Sequence, residues 1–436
     1  MFEIEGKYNK AKVFATTVEN ECISQIMELC NQEWLEGCQI SIMPDCHSGK
    51  GCTIGTTIKL KNKVCPSLVG VDIGCGMLAI EIPQEFYLNL EHIDNFIVNH
   101  IPSGFHVNDK VLYNENDFKL EELKCYEYLK NSEYLKKSVG SLGGGNHFIE
   151  VNQGKKGFYL VIHTGSRNLG KQVAEYYQNV ADEYCNHSIK DYQQTRQFLI
   201  SQLKAEGKAR EINEKLKEFD EKYQHTQKIP HDLCYLEGIE AQNYLYDVQM
   251  CSYFASMNRI YIAQRILNFI AIDNGFDEAT TQTIIANDGP HLFELAIFDK
   301  DNHVHNRLGF ETVHNYIGVD NILRKGAISA NTGETVIIPM NMRDGSIIGV
   351  GKGNPSYNFS GPHGAGRLMS RSAAKNRVVF KEYQKSMEGI YSSSVCQSTV
   401  DESPMVYKSI DEIINNIENS VELVDIIKPI YNFKAH

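Results

Sequence analysis

The chain reads as an α+β protein, one large domain over residues 1–436 with a helical region at about 171–272. Three observations lead there. First, glycines gather at Gly49–Gly55, Gly70–Gly76, Gly140–Gly145, Gly345–Gly353 and Gly361–Gly366. These clusters adjoin short apolar runs rich in β-branched residues: Ile40-Ser41-Ile42-Met43, Leu68-Val69-Gly70-Val71, Tyr159-Leu160-Val161-Ile162, Thr335-Val336-Ile337-Ile338 and Ile347-Ile348-Gly349-Val350. A strand that runs into a glycine-rich loop lets the backbone approach a ligand. Five such loops predict one shared site built from distant segments. Second, the middle of the chain is helical in pattern. Third, there is no repeat, low-complexity stretch or linker, so the helices read as an insertion in one α+β domain.

The helical elements follow in order. Residues 171–223 mix acidic and basic side chains almost evenly, as the solvated surface of a helical hairpin does. Residues 237–272 carry Leu245, Val248, Phe254, Met257, Ile260, Tyr261, Ile266 and Phe269 at three- and four-residue spacing, which predicts a long, mostly buried helix. Ser409-Ile410-Asp411-Glu412 is a capping box that opens a last helix, expected to end at Pro429.

Composition narrows the class. With 42% apolar and 22% charged residues the chain is globular, not disordered. No apolar run approaches the roughly 18 residues of a membrane span. Met1–Gly6 lacks the basic and apolar regions of a secretory signal. The 12 cysteines form no CxxC pair and read as reduced thiols, so a cytoplasmic protein is expected. The net charge of -12 disfavours bulk nucleic-acid binding without excluding a local basic groove.

Five segments carry chemistry. Asp72 and Cys75, three apart after an expected strand, can face one metal, and a thiolate can bridge two. A capping Asp and a buried thiol fit the same spacing. Gly143-Gly144-Gly145-Asn146-His147-Phe148-Ile149-Glu150 offers backbone N–H groups for phosphate, then an imidazole and a carboxylate. His163 ends an apolar strand, and Arg167 follows with a planar fork suited to phosphate. His314-Asn315 is a weaker signal. Together Asp72, Cys75, His147, His163 and His314 are enough donors for one or two transition metals. The fifth segment, Ser360–Arg371, holds His363 among small residues, with Arg367 and Arg371 expected on one face of a following helix. Spacing alone leaves His363 either a nucleophile toward phosphorus or a fifth metal ligand.

These motifs resemble the RtcB-type RNA ligases. The matching residues are Met43-Pro44-Asp45, Gly49-Lys50-Gly51, Val71–Gly76, Gly143–Glu150, His163–Arg167, His314-Asn315, His363–Arg371 and Asp401-Glu402-Ser403-Pro404. The resemblance implies mixed sheets around a central metal and GTP cleft. It implies a GTP- and manganese-dependent ligase of RNA repair or tRNA splicing, joining a 3′-phosphate or 2′,3′-cyclic phosphate end to a 5′-hydroxyl end. In that reading Cys75 bridges two Mn2+ ions, Asp72 and His147 complete one site, and His163 and His314 the other. His363 becomes guanylylated. GTP contacts fall on Asn146, His147, Phe148, Ile149, Glu150, His314, Asn315, Pro339, Met340, Asn341, Met342, Ser346, His363, Gly364, Ala365, Gly366, Tyr407 and Lys434. Lys50, Arg167, Arg367 and Arg371 are the RNA-binding candidates. No membrane is implied, and an activator protein is left open.

Two positions depart from the family pattern. Many members carry Gly-Ser inside the proline-led segment that here reads Pro339-Met340-Asn341-Met342. The usual Lys-Gly terminus is replaced by Phe433-Lys434-Ala435-His436. The alternative reading of the same ligands is a binuclear metallo-phosphodiesterase with His363 as general acid.

Overall fold

Residues 1–222, 228–276, 282–287, 292–298 and 304–435 are described by the computed structural model. Part of the expected helical region, 223–227, lies outside them.

Alternation along strands builds the central sheet. Leu160 and Ile162 of the Gly157–Thr164 strand pack on one face, and Tyr159 and Val161 on the other. Both faces are covered, so the strand is apolar from Phe158 to Ile162. Among the described residues its sheet has nine strands, in the order Thr335–Asn341, Gly345–Gly351, Val421–Lys434, Phe148–Gly154, Gly157–Thr164, Gly76–Ile82, Val304–Val313, Leu292–Phe298 and Gln282–Asn287. Neighbours pair antiparallel throughout.

The Leu160 face is covered by Ile262, Ile266 and Ile270 of the Gly238–Asp273 helix and by Ile93 and Ile97 of the Leu90–His100 helix. The Val161 face meets Ile337, Ile348 and Ile427 from the far strands of the same sheet. The sheet therefore curls over its own inner face. Ile337 N–H donates to Thr312 Oγ1 at 3.2 Å across that closure.

A second sheet has six strands, in the order Phe2–Glu5, Lys10–Val13, Gln39–His47, Ile54–Lys59, Ile322–Lys325 and Asn315–Ile317. A short ladder joins Ala327–Ser329 to Ser360–Pro362. The fold is thus mixed α+β, as expected. The helical region comprises Arg167–Ala205, Ile212–Lys222 and Gly238–Asp273. Among the described residues no helix is long and apolar enough to cross a membrane. All 12 cysteines are free thiols.

Two elements differ from expectation. Leu68–Val71 is not a strand: Pro66–Leu68 is a 3-10 turn, and the chain then loops to Cys75. Leu68 and Val69 are apolar because they fill the core between elements. The last helix, Ile410–Ile417, does open at Ser409, whose hydroxyl accepts from Glu412 N–H at 3.2 Å. It ends well before Pro429, which lies inside the Val421–Lys434 strand. There the register shifts between Pro429 and Tyr431, where the strand pairs with Phe148–Gly154. A bulge accommodates a residue with no N–H to donate.

Candidate functional site

Four adjacent antiparallel strands end together, and their ends carry the donor residues. Register pairs Gly76 with Thr164 and with Val313, and Phe148 with His163. Cys75 therefore precedes one strand, His147 precedes the next, His163 closes a third and His314 follows the fourth. His314 N–H donates to the Cys75 carbonyl at 2.9 Å, fixing the two loops together. Asp72 reaches the same point by a tight turn through Gly74, whose φ is +72°. A Cβ at Gly74 would lie 2.7 Å from the Ser252 Cα of the long helix, so only glycine fits there.

The side chains converge with their ligand atoms facing one another. His147 Nδ1 lies 2.9 Å from the Leu142 carbonyl, and His163 Nδ1 lies 3.1 Å from the Asn146 carbonyl. A carbonyl only accepts, so both Nδ1 atoms carry a proton and both Nε2 atoms point inward. His147 Nε2 then faces Asp72 Oδ2 at 2.9 Å and Cys75 Sγ at 3.5 Å. His163 Nε2 faces Cys75 Sγ at 3.3 Å and His314 Nε2 at 3.4 Å. Ligand atoms gathered at these distances fit a cation site. The donors form two triads, Asp72–Cys75–His147 and Cys75–His163–His314, with the ligand atoms of each within 4.8 Å of one another. Cys75 is common to both. The thiolate, imidazole and carboxylate set fits one or two transition metals.

Electrostatics agrees. Burial, then the neighbouring imidazoles, push His163 and His314 well below the ordinary histidine range, so both are neutral and free to coordinate. Burial opposes ionisation of Asp72, but the His147 hydrogen bond and charge hold its carboxyl low. Burial, then the Asp72 charge, raise the Cys75 thiol well above its usual value in the metal-free chain. Coordination would have to displace that proton.

Beside the triads lies a cleft of about 270 Å³. It is lined by Asn146, Phe148, Glu150, His163, Pro339, Met340, Asn341, Met342, the His363–Gly366 loop, Arg367, Arg371, Tyr407 and Lys434, with His47 and Glu402. His363 is aimed by Asp45, a fully buried carboxylate. Asp45 Oδ2 accepts from His363 N–H at 3.0 Å and Gly364 N–H at 3.2 Å, and lies 2.7 Å from His363 Nδ1. Three donors on one oxygen fix the loop and place a proton on Nδ1. Nε2 is turned away from Asp45, on a ring whose centre is 4.9 Å from that of His314.

The model of the family "tRNA-splicing ligase RtcB" matches residues 25–435. The chain belongs to the RtcB family. It is 29% identical to RNA-splicing ligase RtcB of Escherichia coli K12, over 91% of this chain and 90% of that protein. It is 25% identical to tRNA-splicing ligase RtcB of Aeropyrum pernix, over 89% of this chain and 86% of that one. The corresponding figures for the Nanoarchaeum equitans protein of the same name are 26%, 86% and 83%. This RtcB-family protein is an enzyme, an RNA ligase.

Other residues picked out by resemblance to RtcB proteins fall in several places. Ile149 does not line the cleft. Strand alternation turns Phe148 and Glu150 toward it and Ile149 into the core. Ser346 is also absent from the lining, and its buried hydroxyl has no partner among the described residues. Asn341 lines the cleft, but its amide donates to Asp344 Oδ2 at 2.8 Å and its carbonyl oxygen accepts from Arg343 and Asp344 N–H. It closes its own hairpin turn. Asn315 sits on a second cleft, of about 470 Å³, that also reaches Asp72 and is bordered by Lys50, His231 and Lys325.

The arginines are arranged differently from the expectation of a shared helix face. Arg367 lies before the helix, in a β-bridge with Tyr407, and Arg371 is the first residue of Arg371–Arg377. They meet instead at carboxylates: Arg371 at Asp401 and Glu402, Arg367 at Glu402. Glu402 also accepts from Tyr407 OH and Lys434 Nζ, both at 2.7 Å. Burial opposes its ionisation, but Lys434 and Arg371 outweigh it and hold the carboxyl at about 2. Arg167 is half-buried, donating to the Gly104 carbonyl at 2.8 Å and Ser141 Oγ at 3.1 Å. Lys50 is the most exposed of the four, 71% open and 3.7 Å from Asp232.

Three site residues were not among the sequence candidates: Asp45, His47 and Glu402. Asp45 and Glu402 lie within motifs shared with RtcB ligases, and that was their only signal. His47 lines the cleft, its Nδ1 3.1 Å from the Asp45 carbonyl, and burial lowers its pKa to about 4.

Proposed function

We propose that this RtcB-family enzyme seals RNA 3′-phosphate ends to 5′-hydroxyl ends at the expense of GTP, through a guanylylated His363. The observation that carries the reading is the Asp45–His363 pair. With Nδ1 held by Asp45 at 2.7 Å, the free Nε2 lone pair is a nucleophile beside a centre built for cations. Nε2 attacks the α-phosphorus of GTP. An N–P bond forms, the bond to pyrophosphate breaks, and pyrophosphate leaves. An oxygen of the RNA 3′-phosphate then attacks the same phosphorus. The N–P bond breaks, His363 is restored, and the RNA end carries a phosphoanhydride to GMP. The 5′-hydroxyl attacks the RNA 3′-phosphorus, GMP leaves, and a phosphodiester remains. A 2′,3′-cyclic phosphate is first hydrolysed to the 3′-phosphate. GMP is needed because a 3′-phosphate oxygen is by itself a poor leaving group.

Two manganese ions held by Asp72, Cys75, His147, His163 and His314 would neutralise the triphosphate and orient it for in-line displacement. The donor set alone favours zinc, so manganese rests on family resemblance. Glu150, Tyr407 and Lys434 surround the base end of the cleft in this reading, and the His363–Gly366 loop its phosphate end. Lys50, Arg167, Arg367 and Arg371 serve the RNA.

Incubation with α-labelled GTP tests the proposal. Wild-type protein is expected to take up an acid-labile, base-stable label, as a phosphoramidate does, and His363→Ala to take up none. The same variant should still seal RNA already bearing the GMP-activated 3′ end, since only the earlier steps use the nucleophile. Label on His363→Ala would refute the assignment. A metallo-phosphodiesterase would show no covalent label at all.

A further inference from the structure

One turn of the Gly238–Asp273 helix touches every segment that carries a candidate metal ligand, although none of its own side chains is one. Asn258 and Arg259 are both fully buried. Arg259 Nη1 donates to the Gly74 carbonyl at 2.9 Å, inside the Asp72–Cys75 turn, and to the Thr164 carbonyl at 2.7 Å, next to His163. Its Nε is paired with Glu311, three residues before His314, and Ser256 Oγ donates to the other Glu311 oxygen at 3.1 Å. Asn258 Oδ1 accepts from Gly140 and Ser141 N–H at 2.7 and 3.0 Å. Its Nδ2 donates to Thr164 Oγ1 at 3.3 Å and the Gly165 carbonyl at 3.1 Å. Thr164 Oγ1 in turn donates at 2.7 Å to the Leu142 carbonyl, the atom that fixes the His147 tautomer.

We propose that Asn258 and Arg259 are positioning residues that clamp the four donor-bearing segments at metal-binding distances. The inference rests on the metal centre proposed above. A fork that donates to two carbonyls and a carboxylate can hold three chain segments at once, which no shorter side chain in the helix can do. Among the described residues Arg259 Nη2 has no partner. Leaving a buried guanidinium N–H unpaired is costly, so the side chain is poorly arranged for its own solvation and well arranged for the two loops. Removing groups that orient metal ligands typically weakens metal binding 10- to 100-fold.

Manganese titration of the metal-stripped full chain, read by electron paramagnetic resonance of free Mn2+, tests this without turnover. Arg259→Lys keeps a positive charge opposite Glu311 and loses the fork. Arg259→Met/Glu311→Met removes both charges, so no unpaired one stays buried. Val248→Ala, a core truncation in the same helix, controls for lost stability. Both clamp variants are expected to bind Mn2+ at least tenfold more weakly than wild type. Val248→Ala should lower Tm and leave manganese affinity within twofold.

Wild-type affinity in either folded clamp variant would overturn the proposal. So would an equal loss in Val248→Ala, which would make the effect one of stability alone. If neither clamp variant folds, the pair is a folding element and the proposal also fails. A wild-type chain that binds no Mn2+ would instead refute the metal centre on which the clamp depends.

Discussion

Glu150 connects the cleft to pH. Burial raises its carboxyl from 4.5 to about 7, against the opposing pull of Asn152, Asn432 and Lys434. Asn432 Nδ2 donates to it at 2.7 Å and Asn152 Nδ2 at 3.2 Å, so the side chain is held at the cleft wall in either protonation state. Between pH 4.5 and 7 the folded chain keeps a proton that the unfolded chain has released. The stabilising contribution is therefore complete below pH 4.5 and is lost as pH rises through 7, a swing on the order of 3 kcal/mol. Glu150→Gln mimics the protonated form at every pH. Calorimetry is expected to show it raising Tm at pH 8 and leaving Tm nearly unchanged at pH 5. If guanine N–H groups donate to the carboxylate, GTP affinity should strengthen from pH 6 to 8 in the wild type and stay flat in the variant. A Tm gain equal at both pH values would show that Glu150 does not titrate in this range.

At the scale of elements, the site depends on loops that approach too closely for side chains. Gly366 closes the His363 loop at a φ of +75°, and a Cβ there would lie 2.3 Å from the Asp45 carbonyl oxygen. Gly366→Ala must push the loop off Asp45, the group that aims His363. We expect more than a tenfold loss of guanylylation with manganese binding unchanged, because no donor residue sits on that loop. Loss of bound metal instead would mean the loop and the metal centre move as one unit. The same elements explain what the sequence discloses. The Gly157–Thr164 strand and the Gly238–Asp273 helix are legible because each buries a run long enough to fix its periodicity. Leu68–Val71 misleads, since a four-residue apolar run fits a strand or a buried turn equally well. The Pro429 strand is hidden because tertiary pairing, with Gly345–Gly351 up to Ile427 and with Phe148–Gly154 from Lys428 on across a bulge, overrides a local breaker. Asp72, Cys75 and the histidines stand out because metal-ligand residue types cluster at glycine-rich strand ends. Asp45 carries no such mark: it meets His363 from 318 residues away, and a lone carboxylate has no spacing to read.

For the whole molecule, a net charge of -12 sets the terms on which RNA can bind. The long-range field repels a polyanion, so attraction must come from cations within about a Debye length, ~8 Å at physiological salt. The two clefts divide those cations. Arg367, Arg371 and Lys434 are engaged by Asp401 and Glu402 around the first cleft. Lys325 at the second is engaged by the Ser67 carbonyl at 2.8 Å and by that of Lys50. Lys50, ion-paired only at 3.7 Å with Asp232 and the most exposed of these cations, stands at the mouth of the second cleft, which reaches the proposed metal centre at Asp72. An RNA strand reaching the centre from that side would pass Lys50 while guanylate occupies the first cleft. Lys50→Ala is therefore expected to leave GMP labelling of His363 intact and to slow ligation. Anisotropy titrations of 3′-phosphate RNA at several salt concentrations should show a log–log slope shallower by about 0.7, the value of one lost phosphate contact on a single strand. If the slope and the ligation rate both stay at wild-type values, RNA does not pass Lys50, and the strand must enter over the arginines of the first cleft, displacing them from Glu402.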